Sequence, residues 1–239
     1  MARLNGHAVN RIVILTGAGV SAESGLATFR DSGGLWENHD PMLIATPEAF
    51  ARDPDLVYRF YNARRSQLDN VLPNAAHRAI ARLQQAFSGD VFLVTQNVDD
   101  LHERGGSGQV CHMHGQLRSM LCKKCGAAQP AADDYDRSTR CPRCGVVGGL
   151  RPDIVWFGEI PYHMDTILAR LRVCDLFIAI GTSGVVYPAA GFVREAVVSN
   201  ALTIEVNREL SDVTGLFHLR RRGMATTEVV ALVEELLAD

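Results

Sequence analysis

Four cysteines carry the most definite chemistry in this chain. Cys122-x2-Cys125 and Cys141-x2-Cys144 stand fifteen residues apart, the spacing of a four-cysteine zinc site. Gly126 and Gly145 follow the two pairs and let each knuckle turn tightly enough to aim two thiolates at one ion. Four thiolates leave no open coordination position, so a zinc held there is structural. Lys123, Lys124, Arg137, Arg140 and Arg143 could suit nucleic acid, but Asp133, Asp134 and Asp136 largely cancel them. Cys111 and Cys174 lie outside the pattern, and Cys174 is expected to be buried.

Two further runs offer polar chemistry. Thr95-Gln96-Asn97-Val98-Asp99-Asp100-Leu101-His102 sets donors and acceptors in succession, suited to a ribose and a carboxamide. Asp100 reads as part of a helix start and stays outside the site. In Cys111-His112-Met113-His114-Gly115 the two histidines alternate, so on an extended segment they face opposite ways. His114, with Gly115 allowing close backbone approach, is the better candidate for a base near neutral pH.

The third run is Arg11–Asp31. Ile12 to Leu15 form a short apolar stretch, Gly17-Ala18-Gly19 a turn almost without side chains, and a helix can begin behind it with Ser21 or Ser24 as cap. Such a strand, turn and helix N-terminus present N–H groups to an anion, here a dinucleotide pyrophosphate. The dehydrogenase fingerprint wants its third glycine three residues after the second. Here Gly25 comes six after Gly19, which argues against hydride transfer.

These runs need a frame to bring them together. Arg11–Thr16, Val91–Thr95, Leu176–Ile180 and Leu202–Val206 are apolar stretches that end in polar or glycine-bearing loops. Continuous apolar strands suit a parallel sheet covered on both faces, which binds ligands beyond its carboxyl ends. Helical patterns fall at Pro73–Phe87, Pro188–Ser199 and Thr227–Ala238, the last with Val229, Val230, Leu232, Val233, Leu236 and Leu237 largely on one face. Two stretches break the rhythm, Ser32 to Val71 and Leu117 to Gly149, and are expected to form a small domain beside the sheet. The fold expected is thus α/β, a Rossmann-like parallel sheet with a small domain made of a zinc ribbon and a helical module. In residue terms the sheet domain takes 1–32, 72–116 and 149–239, the helical module 33–71 and the zinc ribbon 117–148.

The bulk numbers narrow the class. A hydrophobic share of 47% with 21% charged residues excludes a disordered chain. A net charge of −3 gives no electrostatic case for nucleic acid or an anionic membrane as partner. No apolar run nears the ~18 residues of a membrane helix, and the first ten residues lack the apolar core of a signal peptide. A cytoplasmic protein is expected, with its cysteines reduced or metal-bound.

Taken in order, GAGVSAESG…FRD, TQNVDDLH, HMHG, the paired CxxC knuckles, RPDIVWFGE (Arg151–Glu159) and GTS (Gly181–Ser183) resemble the sirtuins, the Sir2-type NAD-dependent protein deacylases. The resemblance spans nearly the whole chain. It implies that NAD is a co-substrate to be split, which suits the odd glycine spacing. By position it implies that Gly17, Ala18, Gly19, Val20, Ser21, Ala22, Glu23 and Ser24 bind the pyrophosphate, and that Phe29 and Arg30 close over the ribose and nicotinamide. Gln96 would contact ribose, and Asn97 and Asp99 would form the nicotinamide pocket. Thr182 and Ser183 would lie near phosphate and ribose, Asn207 at the adenosine ribose and Ala225 at the adenine. Trp36, Val98, Gly181, Arg208 and Glu209 join this cofactor set. His114 matches the catalytic histidine. Val155, Trp156 and Phe157 would pair with a substrate peptide by strand addition. The implied reaction transfers the acyl group of an acyl-lysine to ADP-ribose, releasing lysine, nicotinamide and O-acyl-ADP-ribose, with no metal in the chemistry.

One segment bears on the acyl group. If Leu56–Leu68 is helical, Tyr61 and Arg64 share a face, and an arginine fork with a tyrosine hydroxyl suits a carboxylate. Arg65 reads as solvated. Tyr-x-x-Arg here resembles the sirtuin class acting on succinyl- and malonyl-lysine, with Ala45 leaving room for the chain. Desuccinylation and demalonylation are expected, with deacetylation retained. Ala27 departs from the proline of many sirtuins and is expected to loosen the cofactor loop. Acylated lysine in proteins or peptides is the expected partner, and the chain is expected to be a monomer. Two other readings stay open at this point: mono-ADP-ribosyl transfer to protein, and a non-catalytic NAD-sensing zinc protein.

Overall fold

The computed structural model describes residues 2–27 and 40–238. Its strands, in chain order, are β1 (Ala2–Leu4), β2 (His7–Val9), β3 (Arg11–Thr16), β4 (Asp90–Thr95), β5 (Cys111–His112), β6 (Gly115–Cys122), β7 (Ala128–Pro130), β8 (Leu150–Ile154), β9 (Leu176–Ile180), β10 (Leu202–Asn207) and β11 (Leu219–Arg222). The helices are α1 (Pro47–Arg52), α2 (Pro54–Gln67), α3 (Ala75–Ala86), α4 (Leu101–Arg104), α5 (Met164–Leu171), α6 (Phe192–Val198) and α7 (Ala225–Leu237).

Six strands form one sheet in the order β11-β10-β9-β3-β4-β5, every neighbouring pair parallel. The continuous apolar reading of these strands follows from cover on both faces. Along β3, Ile12 and Ile14 pack beneath α3 and α7, with Ile80, Leu83, Val229, Leu232, Val233 and Leu236. Val13 and Leu15 point the other way, toward Ile167, Leu171, Phe192 and Val193 of α5 and α6. Chain order reverses direction between β3 and β9, which opens a crevice at the carboxyl ends of the strands.

The small body is a second core. β7-β6-β8 form an antiparallel sheet, and α1 and α2 pack on it through Phe50, Val57, Tyr58, Phe60 and Tyr61, against Leu117, Leu150, Ile154 and Trp156. Pro47 and Pro54 both sit in the first turn of a helix, where no N–H is needed, with Thr46 and Asp53 as side-chain caps. The helical stretch and the cysteine-bearing stretch therefore share one core.

Two local expectations are corrected. No α-helix begins behind the glycine turn: Ala18–Val20 and Ala22–Ser24 are single 3-10 turns without side-chain caps. Ser21 is instead drawn into a buried network, and the second turn stops at Gly25 with φ +95°. The pattern at Pro188–Ser199 resolves into a 3-10 turn, Ala189–Gly191, followed by the seven-residue α6. Asn5-Gly6 makes a hairpin of β1 and β2, with both residues at positive φ as a two-residue turn demands. No described helix is long and apolar enough to cross a membrane.

Candidate functional site

The crevice holds a cavity of about 330 Å³, fed by the loops after β3, β4, β9 and β10 and by the small body. Of the residues proposed for a dinucleotide, Gly17, Ala18, Gly19, Ser21, Ala22, Glu23, Gln96, Asn97, Val98, Asp99, Gly181, Thr182, Ser183, Asn207, Arg208, Glu209 and Ala225 line it. Val20 and Ser24 do not. Val20 is fully buried in the core beneath α3 and α7, and Ser24 accepts a hydrogen bond from Asn74 Nδ2. Phe29, Arg30 and Trp36 lie outside the described residues.

The glycines have a different task from the one their types suggested. Gly17 N–H donates to Ile180 O at 3.0 Å and Gly19 N–H to Gly181 O at 2.9 Å, so neither is left for an anion. Their lack of a side chain is what the fold uses. A Cβ on Gly17 would stand 2.8 Å from Gly181 O, and one on Gly19 2.6 Å from Gly181 Cα. Gly181 is itself at φ +63°. The two strand-end loops thus interlock by backbone contact. Among the described residues, the N–H groups of Ala18, Ala22 and Glu23 have no acceptor, and these remain for a phosphate.

Behind the turn lies a buried polar network. Ser21 Oγ donates to Asp99 Oδ2 at 3.1 Å and accepts from Asn97 Nδ2 at 3.1 Å. His77 Nδ1 lies 3.3 Å from Asn74 N and 3.0 Å from Asn74 Oδ1, and its Nε2 faces Ser21 Oγ at 3.3 Å. Thr16 Oγ1 meets Thr95 Oγ1 and His102 Nε2, and the His77 and His102 rings touch edge to face. Burial pushes the Asp99 carboxyl up against the opposing pull of the Leu101 N–H and the Ser21 hydroxyl. Burial also pushes His77 down to about 4 and His102 well below the ordinary range. Asn97 and Asp99 are held in place by this network, and Gln96 Nε2 is held on Thr182 Oγ1 at 3.1 Å. Asp100 turns away into ion pairs with Arg104 and Arg118.

His114 enters the cavity from the segment after β5. Its Nδ1 faces Gln96 O at 3.1 Å, so Nδ1 carries the proton and Nε2 keeps a lone pair. Burial lowers its pKa, partly opposed by that carbonyl. His112 does face elsewhere, with Nδ1 on Asn97 O and Nε2 on Glu103 Oε1 at 2.6 Å.

At the small-body side, Ala45, Arg64, Val155, Trp156 and Phe157 line the cavity. Tyr61 does not: only 1% exposed, it sits behind Trp156, whose Nε1 donates to the Tyr61 hydroxyl at 3.0 Å. The helix places Tyr61 and Arg64 on one face, yet only Arg64 reaches the cavity. Arg65 is corrected from solvated to buried: it bonds Asn62 Oδ1 and Asp133 O and covers the Tyr135 ring, because the zinc-side loop folds over α2. Strand addition along Val155–Phe157 is also narrowed. Their N–H groups already donate to His114 O, Glu159 Oε2 and Ala45 O, so a peptide could pair only with carbonyls there.

The four cysteines lie apart from the cavity, all their sulfurs within 4.8 Å of one another. Cys122 Sγ to Cys144 Sγ is 3.8 Å and Cys125 Sγ to Cys141 Sγ 3.9 Å. A tetrahedron with zinc–sulfur bonds of about 2.3 Å has edges of about 3.8 Å, so the cluster fits zinc. The two knuckles match: Gly126 N–H donates to Cys122 O and Gly145 N–H to Cys141 O, each at 2.9 Å, with both glycines at positive φ.

With this geometry in view, comparison with known proteins is specific. The model of the Sir2 family matches residues 17–188. An NAD-dependent protein deacylase of Vibrio parahaemolyticus is 52% identical over 229 residues, covering 95% of each chain. One from Caulobacter vibrioides is 51% identical over 233 residues, covering 96% of this chain and 98% of its own. A solved complex of a Sir2 homologue with NAD superposes with a TM-score of 0.86 at 38% identity, covering 95% of this chain and 90% of that one. A Sir2 protein bound to acetylated peptide gives 0.81 at 26% identity, covering 95% and 93%.

Proposed function

The chain belongs to the Sir2 family, and from that premise we propose that it is an NAD-dependent protein-lysine deacylase whose acyl pocket takes succinyl and malonyl as well as acetyl groups. The observation that carries the reading is one cavity in which His114, the Gln96–Asp99 loop and Arg64 converge. NAD, when bound, supplies the ribose carbon that accepts the acyl oxygen as nicotinamide leaves.

The residues of this chain then divide the work. Free N–H groups on the Ala18–Glu23 turns and the Thr182-Ser183 loop face the pyrophosphate, and Asn207, tied by Nδ2 to Thr182 O at 2.7 Å, faces the adenosine side. Asn97 and Asp99 hold the carboxamide, oriented by Ser21 and His77. The bare Nε2 of His114 takes a proton from a ribose hydroxyl, while Nδ1–H stays on the Gln96 carbonyl. Phe29 and Arg30 are assigned to the ribose and nicotinamide, and Trp36 to the cofactor set, by family position. The zinc cluster stands outside the chemistry.

Arg64 gives the acyl preference. Arg64 lines the same cavity as Ala45 and Trp156, and its planar fork suits a two-pronged bond to the carboxylate of a succinyl or malonyl chain. Tyr61 serves by fixing Trp156. The test is turnover of one peptide carrying acetyl-, malonyl- or succinyl-lysine, with products weighed by mass spectrometry. O-acyl-ADP-ribose with free lysine supports deacylation. ADP-ribosylated protein instead would mean transfer to another acceptor. Acetyl turnover with no succinyl or malonyl turnover would overturn the acyl assignment.

A further inference from the structure

An acid on the turn of an anion pocket needs a reason, because a carboxylate beside a pyrophosphate repels it. Glu23 lines the cavity, yet both its oxygens are aimed elsewhere. Oε2 accepts the Thr226 N–H at 3.0 Å, and Oε1 accepts the Thr226 hydroxyl. Thr226, 203 residues along the chain, is the second residue of α7. That helix begins without a cap of its own: its N-cap residue is Met224, which offers no side-chain acceptor. A negative charge at the N-terminus of a 13-residue helix satisfies an orphan donor and complements the helix dipole. Directly before Met224, Gly223 N–H donates to Asn207 O at 3.1 Å. Gly223, Met224 and Ala225 line the same cavity as Glu23.

We propose that Glu23 is a positioning residue that caps α7 from the far end of the chain and so holds the Gly223–Ala225 wall against the Ala22–Ser24 turn. The adenosine end of the pocket is then set by an acid that makes no bond to the dinucleotide. This rests on the reading of the cavity as the NAD site.

Calorimetric titration with ADP-ribose and, separately, nicotinamide tests it on the full chain and on Glu23→Ala, Thr226→Val and the double variant. Loss of the cap should weaken ADP-ribose about three- to tenfold in Glu23→Ala and less in Thr226→Val, which keeps its N–H. The double variant should be no weaker than Glu23→Ala alone, and nicotinamide affinity should not move. Tighter or unchanged ADP-ribose binding in Glu23→Ala, as relief from a free carboxylate would give, overturns the proposal while leaving the NAD site intact. Strict additivity of the two substitutions overturns it too. No ADP-ribose binding by the unaltered chain would sink the NAD reading itself. Thr226→Val exchanges only the hydroxyl for a methyl of similar size, so the sign of its effect is readable even if Glu23→Ala folds poorly.

Discussion

His114 keeps its proton on Nδ1, toward the Gln96 carbonyl, and burial lowers its pKa. The active form of a general base is the unprotonated one, so activity is lost as pH falls through that lowered value. A pH profile of kcat/KM on an acetylated peptide should therefore show its acid limb below 6.5, the ordinary histidine value. A midpoint at or above that value would mean that another group limits the reaction. His114→Phe should abolish deacylation with the fold intact. Arg64→Met should cost succinyl-lysine turnover on the order of 2–4 kcal/mol, if the charged pair is desolvated, with acetyl-lysine turnover little changed. Equal loss of both would make Arg64 structural. The neighbouring arginine shows why residue type alone misleads: Arg64 and Arg65 are both buried, one at the cavity and one under the zinc-side loop.

Among elements, the interlocked loops after β3 and β9 are the most sensitive. Gly19→Ala puts a methyl 2.6 Å from Gly181 Cα, where only backbone movement gives relief. It should destabilise by about 1–3 kcal/mol and weaken ADP-ribose binding. Gly108→Ala, with nothing within 4 Å of the added carbon, is the matched control in thermal melts. The zinc knuckles behave as one element. Chelation, or Cys141→Ser, should release the metal by elemental analysis and loosen the small body, since Cys122 and Cys141 belong to the same core as α1, α2 and Trp156. Activity would fall through the wall of the acyl pocket, with no thiolate near the reacting atoms. Zinc retained by Cys141→Ser at full stoichiometry and unchanged stability would contradict this.

For the whole molecule, two buried neutral histidines set an acid limit on stability. His77 is pushed down to about 4 from an ordinary 6.5, by burial and then by Arg78, and His102 is held well below the ordinary range by burial and then by its histidine neighbours. In that window the unfolded chain binds protons that the folded chain does not, so stability is present above about 6.5 and falls as pH drops toward 4. His77 alone accounts for on the order of 3 kcal/mol. Denaturant midpoints measured from pH 7.5 down to 4.5 should hold to about 6.5 and fall below it, and His77→Gln should flatten the slope. A midpoint that holds constant over this range would show that the network admits protons in the folded state.

What the sequence determined by itself is chemistry tied to spacing. The paired cysteines with their glycines, the HMHG histidine, the polar run after β4 and the apolar strands all act through neighbours a few residues away, where chain geometry fixes the outcome. The β3 and β9 boundaries follow from that local pattern, as does the α7 stripe. Only the tertiary structure decided what depends on distant partners. Gly17 and Gly19 are required by Gly181, Ser21 is taken from a helix cap by Asp99 and His77, Tyr61 is hidden behind Trp156, and Arg65 is covered by Asp133 and Tyr135. In each case the deciding atom lies on another element or loop, and its energy of contact or desolvation exceeds any local preference of the residue. Glu23 is the extreme case: its type says anion, its place says anion pocket, and the helix end across the cavity says what the charge is for.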